Sequence, residues 1–196
     1  MALPKIQKII LLLSLFNISC AHPVHSEKTN AINKIDVAKN KTVFCQGCHG
    51  KNGNSANPKY PNLAGQRTSY IEAQLKAFKS GLRSNDTMQS MADNLTTQDV
   101  KSLAVYFSGL TTKSAGGDPF LAKKGKQKYT ICTGCHGIKA QGRSGFPKLA
   151  GQHPEYLKKQ LLSFKWGFRK ANPMNAMTAS LSEQDINEIA AYLGSL

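Results

Sequence analysis

The sequence predicts an all-α protein of two tandem helical domains related by internal duplication. Three observations predict it. A repeat spans most of the chain, apolar stripes at helical spacing follow capping residues, and a C-x-x-C-H run stands at the matching place in each copy. Pro61-Asn-Leu-Ala-Gly-Gln66 recurs as Pro147-Lys-Leu-Ala-Gly-Gln152. Tyr70, Gln74, Leu75, Phe78, Lys79, Gly81 and Arg83 recur 86 residues on as Tyr156, Gln160, Leu161, Phe164, Lys165, Gly167 and Arg169. Met88, Leu95, Gln98, Asp99 and Tyr106 recur as Met174, Leu181, Gln184, Asp185 and Tyr192. Cys45 and Cys132 are 87 apart, so the second copy loses one residue between its C-x-x-C-H run and its proline.

Along the chain, residues 1–21 read as an export signal: Lys5 and Lys8 precede a mostly apolar run, Ile9 to Ile18, too short to span a bilayer. Ser19 and Ala21 are small residues suited to cleavage after Ala21; the alternative is lipidation at Cys20, against which Asn17 counts. No other stretch is apolar enough to cross a membrane. Residues 22–35 are polar and read as a mobile N-terminal segment. The first domain is expected over 36–110, a linker over 111–117 and the second domain over 118–196. Within the first domain, segment 68–80 carries Ile71, Leu75 and Phe78 at helical spacing, with Gly81 as its stop. Thr96-x-x-Asp99 is a capping-box pattern opening a helix striped by Val100, Leu103, Ala104 and Phe107. Asp118-Pro119 predicts an N-cap and first helical position for a helix running into the second C-x-x-C-H run. Pro154 opens 154–166, which carries Leu157, Leu161 and Phe164 and stops at Gly167. Ser182-x-x-Asp185 opens the last helix, striped by Ile186, Ile189, Ala190 and Leu193.

The chemistry lies in Cys45-Gln-Gly-Cys48-His49 and Cys132-Thr-Gly-Cys135-His136. Two thiols three positions apart can add to the two vinyl groups of one haem, and the next histidine can then bind the iron. Cys45, Cys48, Cys132 and Cys135 are therefore expected to hold two covalently bound haem c groups, with His49 and His136 as axial ligands. A single zinc site would need both thiol pairs to meet and leaves the histidines without a role. A thioredoxin-like redox pair belongs in a βαβ unit that this sequence lacks. The fifth cysteine lies in the signal, so no disulfide is expected.

An iron bound only by histidine is open to small ligands; a thioether on the other face closes it and raises its potential. Each half offers two methionines, Met88 and Met91, then Met174 and Met177, and M-x-x-M keeps both within one helical turn, so spacing does not choose between them. His153, His22 and His25 are alternative ligands for which a surface role is the better expectation. Pro61 and Pro147 follow their histidines by 12 and 11 residues, and such a loop can lay a backbone carbonyl against the far N–H of each ring.

The formal charge is +15 over the whole chain and +13 without Lys5 and Lys8. Residues 22–110 carry 11 basic and 6 acidic side chains, residues 111–196 carry 13 and 5. Such a surface steers toward acidic redox partners or anionic lipid. Nucleic acid is excluded by the expected compartment and by the lack of a base-stacking motif.

The paired C-x-x-C-H runs, the paired P-x-L-A-G-Q loops with Tyr four residues on, and the paired methionines before L-[ST]-x-Q-D resemble the cytochrome c4 family over almost all of 36–196. The resemblance implies two cytochrome c-like domains with their haems near the interface. In the family, the ligand methionine lies seven residues before that leucine, which implies Met88 and Met174 here. It further implies a periplasmic electron carrier, often membrane-associated, donating to a terminal oxidase. The short segment between Gly81 and Met88 departs from the family's pattern. The expected function is single-electron shuttling from a quinol–cytochrome c reductase to a terminal oxidase, with no catalytic residues. The rival is a dihaem enzyme, a peroxidase or thiosulfate-oxidising cytochrome, which needs one labile axial site; methionines in both halves argue against it. A haem sensor would want an output domain that the sequence lacks.

Overall fold

The computed structural model describes residues 41–196. The expected signal over 1–21, the segment 22–35, and Cys20, His22 and His25 lie outside the described residues. Nine α-helices are described: α1 (41–49), α2 (Thr68–Lys79), α3 (Asp86–Asp93), α4 (Thr97–Ser108), α5 (Pro119–Lys128), α6 (Thr133–His136), α7 (Pro154–Lys165), α8 (Asn172–Ala179) and α9 (Glu183–Ser195). Among the described residues there is no strand, only an isolated antiparallel bridge between Arg143 and Phe146.

Each half builds its own core from the predicted stripes. Ile71 of α2 packs with Leu103, Ala104 and Phe107 of α4, with Leu63 and Leu95 against them. In the second half Tyr129 and Leu157 pack with Ile189, Ala190 and Leu193 of α9. Both capping boxes form: Thr96 and Ser182 each accept from the backbone N–H three residues on, and Asp99 and Asp185 bond back. Gly81 and Gly167 take φ of 74° and 75°, the left-handed turn that ends α2 and α7. Asp118 caps α5 through the Leu121 N–H, with Pro119 in its first turn.

The route into the second C-x-x-C-H run differs from the expected single helix. α5 ends at Lys128, and Tyr129–Cys132 is a 3₁₀ turn before α6. The Thr130 and Thr133 hydroxyls donate to the carbonyls three residues back, Gln127 and Thr130, at 2.8 Å each, which favours the tighter winding. Tyr129 fills the core below the turn and donates its hydroxyl to Gly137 O. The residue lost from the second copy falls between the paired positions Gly53/Ala140 and Pro61/Pro147, because both flanks superpose in their bonding. Gly53 O accepts from the N–H groups of Leu63 and Ala64, and Ala140 O accepts from those of Leu149 and Ala150.

The halves meet through a reciprocal polar seam. Arg83 donates to Gln74 in its own half and to Tyr156 and Gln160 across it, at 2.7, 2.8 and 2.8 Å. Arg169 answers with Gln160, Tyr70 and Gln74 at 2.6, 2.9 and 2.7 Å. Each guanidinium also lies over a phenylalanine ring, Phe78 or Phe164. Residues 111–117, which carry no periodicity, are tied to both halves: Thr112 donates to Ala64 O and Ser114 to Gly194 O.

Candidate haem sites

Each C-x-x-C-H run ends a helix, α1 in the first half and α6 in the second, so its histidine is carried on the last helical turn. A glycine with φ above 80° follows each, Gly50 or Gly137, and turns the chain back toward the P-x-L-A-G-Q loop. That loop is anchored to the terminal helix of its own half: Gly65 N–H donates to Phe107 O and Gly151 N–H to Leu193 O, both at 2.9 Å.

Anchoring brings the expected carbonyls to the histidines. His49 Nδ1 lies 2.8 Å from Pro61 O, and His136 Nδ1 lies 3.0 Å from Pro147 O. A carbonyl can only accept, so Nδ1 carries the proton and the Nε2 lone pair is left for a metal. Burial pushes both imidazoles below the usual histidine value, partly opposed by the proline carbonyls, which favours the neutral, ligating form. Tyr60 and Phe146, paired by the repeat, present ring edges to His49 and His136 at centroid distances of 6.3 and 6.1 Å.

No disulfide joins the four motif cysteines, and three of them are partly buried. Burial raises the Cys45 thiol, and burial together with Cys135 pushes Cys132 up to about 11. Among the described residues no three His, Cys, Asp or Glu side chains converge on a common metal position. Two separate thiol pairs, each beside a histidine with one free ring nitrogen, are the donor set that covalent haem requires.

Met88 and Met91 stand on α3, Met174 and Met177 on α8, short helices held to the helix before them. Lys79 of α2 donates to Leu95 O just beyond α3, and Lys165 of α7 to Ala179 O at the end of α8. Asn85 caps α3 through the Met88 N–H. Met88 and Met174 are partly buried, whereas Met91 and Met177 are each 41 % exposed. His153 departs from its expected surface role: it is partly buried, and its Nε2 lies 3.0 Å from Ser55 O across the seam, committed to packing the halves together. Gln66 and Gln152 were legible as repeated residues and carried no predicted role; each reaches the loop of the other half.

These features define a c-type cytochrome with two haem-binding domains. Residues 37–107 match the family described as "Cytochrome C oxidase, cbb3-type, subunit III", and residues 122–196 match "Cytochrome c". The chain is 35 % identical to cytochrome c4 of Stutzerimonas stutzeri over 85 % of its own length and 91 % of that protein's. The crystal structure of reduced recombinant cytochrome c4 from Pseudomonas stutzeri superposes with a TM-score of 0.78 at 35 % identity, covering 83 % of this chain and 98 % of that one. A thiosulfate dehydrogenase electron acceptor from Thiomonas intermedia is 36 % identical over 72 % of this chain and 71 % of its own. The chain belongs to the cytochrome c4 family. It is a dihaem electron carrier, and Cys45/Cys48 and Cys132/Cys135 are its haem-binding pairs. Among the described residues no helix is long and apolar enough to cross a membrane.

Proposed function

We propose that this protein is a periplasmic carrier moving single electrons from a quinol–cytochrome c reductase to a terminal oxidase. The observation that carries the proposal is the matched pair of buried histidines, each with its Nδ1 proton held by a proline carbonyl and its Nε2 left for iron. His49 and Met88 are read as the axial ligands of the first haem, His136 and Met174 as those of the second. The lower exposure of Met88 and Met174 than of Met91 and Met177 supports that choice. When bound, each haem supplies an iron that cycles between Fe(II) and Fe(III). The chain's own task is to hold that iron between two fixed ligands, so that transfer is outer-sphere and little has to move. Residues 36–110 and 118–196 are read as the two domains, joined by 111–117, with the haems near the seam.

Docking is read as electrostatic, with some contribution from the apolar tip of the second half. There Trp166 is 61 % and Phe168 is 81 % exposed, beside Lys158, Lys159 and Lys165, with Glu155 and Glu183 on the same face. Acidic redox proteins are the complementary partners, and anionic lipid would hold the same face at a membrane surface. The similarity to a thiosulfate dehydrogenase electron acceptor supports a second upstream donor, a thiosulfate-oxidising enzyme.

The test is a haem count and a reduced spectrum of the mature protein with and without carbon monoxide. Two haems per chain and no carbon monoxide shift are expected. A shift at either haem would mean an open iron and would overturn the assignment of its methionine.

A further inference from the structure

The P-x-L-A-G-Q loops do more than orient their own histidines. The carbonyl that accepts from His49 and the N–H of Asn62 belong to one peptide unit, Pro61–Asn62. That N–H donates to Gln152 Oε1 of the other half at 2.8 Å, and Gln152 Nε2 donates back to Asn62 O at 2.9 Å. The second site repeats this with the halves exchanged. His136 donates to Pro147 O; the N–H of the same peptide unit, on Lys148, donates to Gln66 Oε1 at 2.8 Å; and Gln66 Nε2 donates to Lys148 O at 2.8 Å. Gln66, Gln152 and Asn62 are 7 %, 7 % and 5 % exposed, so water does not compete strongly for these bonds.

We infer that Gln66 and Gln152 are positioning residues for the opposite haem: each glutamine sets, through one peptide group, how strongly the histidine of the other domain donates to its iron. Accepting a hydrogen bond from a peptide N–H draws electron density toward the carbonyl oxygen of the same unit. That oxygen becomes a stronger acceptor, and chained bonds polarise one another by about 10–30 % per bond. A stronger acceptor on Nδ1–H gives the imidazole more imidazolate character and favours Fe(III). Gln152 therefore lowers the potential of the haem bound at Cys45 and Cys48, and Gln66 that of the haem at Cys132 and Cys135. Losing both glutamines would raise both potentials, each through its own peptide group. The inference rests on His49 and His136 being iron ligands.

The test is Gln152→Leu and Gln66→Leu in the holoprotein, with both haem potentials followed by redox titration of hyperfine-shifted haem methyl resonances assigned to each domain. Gln152→Leu should shift the Fe(III)/Fe(II) equilibrium of the first haem about threefold toward Fe(II), roughly 30 mV for one electron, and leave the second unmoved. Gln66→Leu should do the reverse. Gln152→Glu keeps an acceptor oxygen and should hold the first potential at or below its wild-type value. Tyr156→Phe removes a bond of the same seam away from these peptides and should leave both potentials in place. A shift confined to the glutamine's own domain, equal shifts at both haems, or no shift would overturn the inference. Wild-type protein whose resonances lack histidine ligation would instead remove the ligand assignment on which it rests.

Discussion

Arg83 and Tyr156 offer the cleanest measure of the seam, because the duplication supplies the same experiment twice. Arg83→Ala removes two bonds across the seam, one to Gln74 within its half, and the stacking on Phe78. Hydrogen bonds to a charged donor contribute about 1.5–3 kcal/mol each when buried. This site is only partly buried, so about 1 kcal/mol per bond is the better figure, and the cation–π contact adds about 0.5 kcal/mol. The Gln74 and Gln160 amides can turn to Arg169 or water, which reduces the loss, so Arg83→Ala should cost about 2–3 kcal/mol. Tyr156→Phe should cost about 1 kcal/mol. Because the two groups touch, the double variant should be less destabilised than the sum by about 1 kcal/mol. The assay is denaturant unfolding of the four holoproteins, followed by Soret circular dichroism. Arg169→Ala with Tyr70→Phe, the mirror cycle, should return the same coupling to within about 0.5 kcal/mol. Coupling below about 0.3 kcal/mol in both cycles would mean that the guanidinium groups do not join the halves, and the seam as described would be wrong.

Met88→Ala and Met174→Ala should each open one iron to carbon monoxide and lower its potential, whereas Met91→Ala and Met177→Ala should leave both spectra closed; unchanged spectra in the first pair would transfer the ligand role to the second. Gly125 sits where α5 crosses α9, and a Cβ there would fall 1.9 Å from Glu188 O, so Gly125→Ala should cost about 3 kcal/mol or prevent folding of the second half, read by thermal unfolding. Lys128 and Ser182 hold the Asp185 carboxyl far below the ordinary range, and Lys128 and Gln184 lower Glu188. Folded values below the unfolded ones mean that this stability is present above about pH 4 and is lost as pH falls through the folded values. The unfolding midpoint should therefore be flat from neutrality to about pH 5 and drop below about pH 4; Lys128→Met should shrink the drop, and an undiminished drop in that variant would assign acid lability elsewhere.

Much of this was legible because duplication let the chain annotate itself. The stripes on α4 and α9, the capping boxes, the glycine stops and the proline carbonyls over the histidines all follow from local periodicity or from a loop length. What escaped was whatever joins the halves. Nothing in a single helix period tells that Arg83 turns toward Tyr156 rather than water, or that His153 leaves the surface for Ser55. The available signal was recurrence: Tyr70, Gln74, Arg83 and Gln66 return 86 residues later although none of them lies on an apolar stripe. Polar residues held in both copies and not needed by either core are the ones a shared seam would use. The 3₁₀ turn at Tyr129–Cys132 escaped for a different reason, since its cause is side-chain bonding by Thr130 and Thr133 that helix propensity does not register.

The same seam explains why two similar redox domains are fused rather than free. Alone, the first half would expose Asn62 N–H, Asn62 Nδ2 and the Gln66 amide to water, since all three find their partners on the second half. Its histidine would still meet Pro61 O, yet the peptide behind that carbonyl would rest on solvent, which reorganises with every change of charge. Outer-sphere transfer is faster when less has to reorganise, and the fixed dipole of a buried glutamine amide substitutes for mobile water. Around the histidines the bonds that cross the seam are between neutral amide groups, Gln152 with Asn62 and Gln66 with the Lys148 backbone, while the Arg83 and Arg169 guanidinium groups bind Gln74, Gln160, Tyr156 and Tyr70.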